Sequence, residues 1–409
     1  MEVNTISFLT EFPYGFDTSG ASSTSSYHLV LLAKAFPKSN IHILYFNSNQ
    51  NFWLQSYTEF LSFTSFSGNI SIHVCNANIM KYVPIKLKTI ATSIFKLDEV
   101  LFKNIINISQ IAIDFIKEIY NKIRPDIVWC EHLFPLMLPQ YSGTAKLIYV
   151  HHDFISKILL KRRFNLKNWV RSRYIKRIEE KCLKNVEMVI TGNSIEHKEI
   201  LSHTRKNCII HNIPILYPPL SQEYYNRSSD SKIRIIHLGT ISATANRKGL
   251  KLFCKESLPY LDKKNSDYQF IIIGITKDEF EANIDKNINT TKFIFKGKEI
   301  PLEEIIKPYD IHVLPYMGKT GVRTKLYNLL RFKSAILGYK QSVGSIQSLN
   351  DGEDIFLVKN IRNFNKKLIE LCMSFEKRKQ MSEDSFRKFS EHFSIDEESR
   401  KLSEVITSN

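Results

Sequence analysis

Three stretches of this 409-residue chain carry residue types whose spacing suits chemistry. The first is His151-His152-Asp153, directly after an apolar run at residues 146–150. If that run is a strand, two imidazoles and a carboxylate stand at its carboxyl end, where they can bind a polar substrate or move a proton near neutral pH. The plainer alternative is a capped strand end whose histidines sit in a satisfied polar pocket. No further His or carboxylate cluster lies close in sequence, so no metal site is expected. The second stretch follows the run 233–238: Gly239-Thr240, then Asn246-Arg247-Lys248-Gly249 before a helical pattern. Cations and a Gly at a helix entrance suit a diphosphate, because backbone donors and Arg or Lys charge converge there; a solvated loop with two cations is the alternative. Gly274, after the run 269–273, marks a sharp exit or a close ligand approach. The third stretch spans residues 310–346 and leads into a helix whose first turn carries Arg323 and Lys325. Two phosphate-competent sites in one domain suggest a nucleoside diphosphate. Gly318-Lys319-Thr320 looks like the end of a P-loop, but Val313 holds the place of its first Gly.

Short apolar runs alternating with amphipathic stretches must position these residues. Strands are predicted at residues 3–9, 41–46, 70–74, 127–130, 146–150 and 188–191, and again at 233–238, 269–273, 292–295, 311–314, 335–338 and 355–358. Alternation of this kind means βαβ units, hence α/β architecture with parallel sheets. Between the two series, residues 216–231 hold Pro218, Pro219 and a Ser-rich turn segment without periodicity. The expected organisation is an amino-terminal domain at 1–215, a linker at 216–231, a second doubly wound domain at 232–385, and helices at 386–409. Ligands of open parallel sheets bind beyond the carboxyl ends of the strands, where the three stretches lie.

Composition narrows the classes. With 43% apolar residues and only 14 Gly and 13 Pro, the chain is expected to be globular, and its length suits two domains. The sequence opens with an acid where a signal peptide would carry Lys or Arg, and no window approaches about 18 uninterrupted apolar residues. A cytoplasmic protein without a membrane span is expected. The six cysteines are scattered singly, which predicts reduced, buried thiols. The absence of G-x-G-x-x-G argues against a nicotinamide or flavin enzyme of the usual kind.

From about residue 233 to 405 the chain resembles glycosyltransferases of the GT-B fold, group 1 (family 4-like). The resemblance rests on Leu238-Gly239, Lys248-Gly249, Ile273-Gly274, the phrase Tyr309-Asp310-Ile311-His312-Val313-Leu314-Pro315, the helix starting Lys325-Leu326-Tyr327-Asn328, and Asp351-Gly352-Glu353-Asp354. The amino half agrees more loosely, through the loop from Pro13 to Gly20, Arg124-Pro125-Asp126, His152-Asp153 and Val189-Ile190-Thr191-Gly192. The resemblance implies two Rossmann-like domains facing a cleft, with the last helices crossing back to the amino-terminal domain. It implies a nucleoside diphosphate sugar bound by the second domain at Gly239, Thr240, Arg247, Lys248, Gly274, Thr320, Arg323, Lys325 and Asn328, and a glycan or lipid-linked acceptor beside the loop carrying Gly15 and Gly20. His152, or its neighbour His151, would lie near the transferred sugar with Asp153. No cofactor or metal is implied, because cations and helix starts stabilise the leaving diphosphate. The family often carries two Glu eight positions apart around the donor helix. Here those places hold Thr320 and Asn328, while Thr240 and Lys333 replace a usual Arg and Gly. Two readings therefore stand: a metal-independent glycosyltransferase of surface polysaccharide or oligosaccharide biosynthesis, or a non-catalytic GT-B module that binds a glycan or a partner transferase.

The charge is uneven. Lys and Arg number 57 against 41 Asp and Glu, a net +16, and residues 157–184 alone hold 11 basic and two acidic residues. Val170, Tyr174, Ile178 and Cys182 recur at i+4, so a helix would bury one stripe and present its cations elsewhere. Lys161, Arg162, Arg163, Arg171 and Arg173 are candidate contacts for the anionic inner leaflet of a membrane or an acceptor phosphate, each adding on the order of 1 kcal/mol. A solvated helix face is the alternative. Nucleic acid is not expected, since no aromatic residues alternate with basic ones.

Overall fold

The computed structural model describes residues 2–11, 20–46, 68–77, 79–82, 106–138, 145–161, 166–192, 196–213, 220–227, 232–241, 244–264, 267–297, 301–316, 324–343, 349–392 and 394–408. It divides into two compact units, Met1–Pro214 with Asp396–Asn409, and Ile215–Ile395.

The amino-terminal unit is built on seven parallel strands in the order β3-β2-β1-β6-β7-β8-β9. These are β1 (Thr5–Thr10), β2 (Asn40–Phe46), β3 (Ile70–Cys75), β6 (Ile127–Glu131), β7 (Lys146–His151), β8 (Met188–Thr191) and β9 (Ile209–Asn212). A separate antiparallel pair joins β4 (Met80–Tyr82) to β5 (Ile106–Ile108). Four helices matter for the site and its flank: α1 (Gly20–Ala35), α2 (Gln110–Ile123), α3 (Ile155–Lys161) and α4 (Leu166–Leu183). Their local signals are legible. Ser109 caps α2 by accepting from the Ala112 N–H, and Arg124 closes it in the left-handed region at φ 44°. The central strands are apolar on both faces because helices cover both, as a parallel sheet requires.

The carboxyl-terminal unit repeats the plan with six parallel strands in the order β12-β11-β10-β13-β14-β15. These are β10 (Ile233–Leu238), β11 (Tyr268–Ile273), β12 (Phe293–Lys296), β13 (Ile311–Leu314), β14 (Ala335–Tyr339) and β15 (Phe356–Val358). Alternate residues feed two apolar layers: Ile235, Phe270, Ile272, Val313 and Leu337 pack on one side, Ile236, Ile271 and Ile273 on the other. Its helices include α5 (Thr244–Leu252), α6 (Thr324–Leu330), α7 (Ile361–Met373) and α8 (Phe375–His392).

The last helix, α9 (Ile395–Thr407), belongs to the amino-terminal unit from Asp396 onward. It buries Leu402 and Ile406, Lys146 Nζ donates to the Ile406 carbonyl at 2.7 Å, and Lys34 pairs with Asp396. All six cysteines are free and buried.

In each sheet the chain winds outward from one strand, then returns to wind the other way. The reversal falls between β1 and β6 in the first unit and between β10 and β13 in the second. Loops on either side of such a switch point diverge and leave a crevice, which is where ligands of open α/β sheets bind.

Candidate functional site

At the amino-terminal switch point, β6 ends in Glu131, whose side chain is fully buried. Trp129 lies two residues earlier, hence on the same face of the strand, and its Nε1 donates to Glu131 Oε1 at 2.7 Å. Helix α1 follows β1 and places Ser25 and His28 three residues apart on one face. His28 Nδ1 stands 2.9 Å from Oε1, and Ser25 Oγ donates to Oε2 at 3.3 Å. The fourth partner is His152, just past β7, whose Nε2 lies 3.1 Å from Oε2. Burial works to raise the Glu131 carboxyl, but the charge of His28 and the bonds from His152 and His28 outweigh it and hold the group well below the usual carboxylate range. Glu131 is a buried carboxylate.

His132 follows at φ 71°, a left-handed conformation that costs a non-glycine residue energy and is typical of functional turns. Its ring stacks on His152 with centroids 3.7 Å apart and planes 14° apart. Burial, reinforced by the neighbouring histidines, pushes its imidazole well below its ordinary value. Among the described residues, Glu131, His132 and His152 bring three ligand atoms within 4.8 Å of one another. Parallel stacked rings direct their in-plane lone pairs side by side, whereas a metal needs them convergent, and Glu131 already accepts four hydrogen bonds. The geometry suits a proton-handling or hydroxyl-binding cluster better than a cation. Just past β1, half-buried Glu11 is pushed up to about 7 by burial, so that this carboxyl, unlike Glu131, changes charge near neutrality.

The two histidines of the sequence motif separate sharply. His151 is buried, with Nε2 3.1 Å from Glu196 and its ring against Phe154. His152 keeps 18% of its side chain open to solvent. Asp153 is half-buried beside it. Gly20 starts α1, while Gly15 lies outside the described residues.

At the second switch point, Gly239 and Gly274 both take positive φ, 137° and 90°, where a side chain would be strained, and a Cβ on Gly274 would lie in van der Waals contact, 3.5 Å from the Gly239 carbonyl carbon. The two turns pack against each other at the strand ends, as close backbone approach to a ligand requires. Asn246 Nδ2 donates to the Thr240 carbonyl at 3.0 Å and pins this loop to α5. Asn246-Arg247-Lys248-Gly249 lie within α5, which starts at Thr244, and not before the helix as the sequence suggested; there Arg247 is half-buried and Lys248 exposed. Gly249 has a different cause: a Cβ there would come within 2.5 Å of the Pro315 carbonyl oxygen, so its absence lets α5 lie on the exit of β13. On α6, Asn328 is buried, and its Oδ1 makes no hydrogen bond among the described residues. The Lys325 side chain, Thr320 and Arg323 lie outside the described residues. Asp310 is structural, binding Arg234 Nε at 2.9 Å and the Lys307 N–H at 2.8 Å. Lys333 sits at φ 52°, which explains why a Gly suits that position.

The basic segment forms α3 and α4. Glu179 of α4 takes the Ser156 hydroxyl at 2.5 Å and its N–H at 3.2 Å, locking the two helices together. Val170, Tyr174, Ile178 and Cys182 are buried, and Arg173, Lys176 and Arg177 are exposed. Arg173 lies over the Trp169 ring at 4.9 Å, and Arg171 is half-buried. Arg162, Arg163 and the Lys161 side chain lie outside the described residues. Among the described residues no helix is long and apolar enough to cross a membrane.

Sequence reasoning missed Glu131, His28, Ser25, Trp129 and His132. Glu131-His132 follow a predicted strand and were open to discovery by the strand-end rule. Ser25 and His28 were not, since nothing in their spacing announces a partner more than 100 residues away.

Residues 232–374 match the family model described as glycosyl transferases group 1. No curated protein matches the chain. Among solved structures, TarM is 14% identical with a TM-score of 0.59 over 75% of this chain, which spans 60% of the length of that TarM chain. Sucrose-phosphate synthase from Thermosynechococcus elongatus is 11% identical with a TM-score of 0.64, covering 99% of this chain and 98% of that one. HepE of Anabaena, in complex with UDP and glucose, is 12% identical with a TM-score of 0.63, covering 99% and 100%. At such identities the likeness establishes the fold, which is GT-B.

Proposed function

We propose that the protein transfers a sugar from a nucleoside diphosphate sugar to a glycan acceptor, on the premise that residues 232–374, which match the group 1 glycosyl transferase family model, form its donor domain within a GT-B fold. The observation that carries the reading is that the matched segment contains the whole second switch point: the Gly239 and Gly274 turns, the cations Arg247 and Lys248 on α5, and buried Asn328, whose acceptor is unused among the described residues. The donor diphosphate belongs at the α5 entrance, where Arg247 and Lys248, together with Lys325, supply the charge that a metal supplies elsewhere. Asn328 Oδ1, a buried acceptor with no partner among the described residues, suits a ribose hydroxyl in place of the more usual Glu. The amino-terminal unit takes the acceptor, with His152 beside the transferred sugar. The exposed cations of α4 suit an anionic inner-leaflet surface or a lipid-linked acceptor phosphate, with the protein peripheral on the cytoplasmic side. HepE, crystallised with UDP and glucose, makes uridine nucleotides the first donors to try.

Thermal unfolding with a panel of UDP-, GDP- and dTDP-sugars, followed by transfer assays with the donor that stabilises, tests the reading. At least one nucleotide is expected to raise the midpoint, and Arg247→Ala is expected to abolish that rise. No stabilisation by any nucleotide overturns it. Asn328 and Thr320 standing where the family has Glu favour the second reading, a non-catalytic module. It gains if nucleotide binds but Lys325→Ala and His152→Ala leave cellular glycan unchanged.

A further inference from the structure

Glu131 accepts at both oxygens from four side chains, two per oxygen. An ionised carboxylate offers about four lone-pair sites and no proton. Every neighbour must then be a donor. Trp129 and Ser25 always can be; for the histidines the requirement selects a tautomer, because a neutral imidazole carries its proton on one nitrogen and a lone pair on the other. His28 must carry its proton on Nδ1 and His152 on Nε2. His152 is the one of these rings that solvent reaches, at 18% of its side chain, whereas His28 and Glu131 are closed off.

We propose that Glu131 is a positioning residue: by taking the Nε2 proton of His152, with His28, Trp129 and Ser25 fixing the carboxylate in turn, it presents the Nδ1 lone pair of His152 as an acceptor for a substrate hydroxyl. The assignment follows from the hydrogen-bond inventory of the site, since reversing the His152 tautomer would set two acceptors facing each other across 3.1 Å. The stack against His132 at 3.7 Å keeps the ring from turning away. This inference rests on the transferase reading for what His152 receives, although the tautomer itself does not depend on it.

The test uses the full chain labelled with 15N-histidine. Long-range proton–nitrogen correlation at pH 8 reads the tautomer of His152, assigned by the signals lost in His152→Ala. The expected result is the Nε2–H form; an Nδ1–H form overturns the proposal, and this measurement requires no Glu131 variant. In Glu131→Gln the carboxamide can donate, so the population is expected to shift toward Nδ1–H. With a donor that supports transfer, kcat of Glu131→Gln is expected to fall at least tenfold with KM for the donor unchanged. Glu131→Gln/His152→Ala is expected to be no slower than His152→Ala alone. A folded Glu131→Gln protein with wild-type kcat overturns the proposal. Failure of every sugar nucleotide to support transfer counts against the transferase reading and leaves the tautomer result standing.

Discussion

At the scale of single residues, some positions admit no larger side chain. Gly249 is one. Its missing side chain lets α5 touch the backbone after β13, and Gly249→Ala sets a methyl 2.5 Å from the Pro315 oxygen. The neighbour is backbone and cannot swing aside. We expect a loss of about 1–3 kcal/mol, the usual cost of overpacking, read as a lower urea midpoint together with weakened nucleotide binding. His312 supplies a second prediction. Burial, with Arg234 and His237 nearby, holds its imidazole down at about 3. Unfolding restores an ordinary value near 6.5, so between about 3 and about 6.5 the unfolded chain holds the extra proton. Stability from this residue therefore falls as pH drops below about 6.5, by up to roughly 1.4 kcal/mol per pH unit, and levels off near 3. His312→Leu is expected to flatten the acid limb, seen as a smaller change in urea midpoint between pH 7 and pH 5. An equal change in both proteins counts against the assignment. The same scale shows what was legible. Gly239 and Gly274 were readable as strand-end turns because positive φ strongly favours Gly; Gly249 was readable as a Gly but not for its cause, which is a contact 66 residues away.

Elements were the most legible level. Strands of parallel sheets are short apolar runs between helical patterns, and every strand predicted from those runs is present. The missed strands are those with weaker signals: β9 ends in His211-Asn212, and β4 and β5 are three residues each. The amphipathic reading of α4 also holds, with its i+4 stripe buried and Arg173, Lys176 and Arg177 exposed. The exposed cations make a prediction at this scale. Anionic vesicles should retain the protein at low salt and release it at high salt, since surface attraction is screened within a Debye length of about 8–10 Å. Charge reversal by Arg173→Glu, Lys176→Glu and Arg177→Glu should lower retention at least tenfold without changing nucleotide-induced stabilisation. Retention equal to that on neutral vesicles shows the face to be merely solvated.

For the whole molecule, the chain's end returns to its beginning. Helix α9 seals the amino-terminal unit with Leu402 and Ile406, both fully buried, although the preceding 181 residues, 215–395, form the other unit. Leu402→Ala should cost about 2–5 kcal/mol, the range for a buried Leu truncated to Ala. The loss belongs to the amino-terminal unit. Hydrogen exchange should show faster opening of β1 and α1 with little change in β10 and β13, and a uniform effect on both units would count against that division. Sequence alone determined the class of the protein: two α/β halves, cations beside a helix after β10 and a His at the end of β7, because periodicity and strand-end position are local properties; it placed the start of that helix too late, after Gly249 instead of at Thr244. Tertiary structure decided which His meets solvent, what holds it and why. Topology brings α1, β6 and β7 together at one switch point, so Ser25, His28, Trp129, Glu131 and His152 become neighbours only when the sheet forms. A hydrogen-bond network among residues this far apart in the chain has no period for a sequence to display.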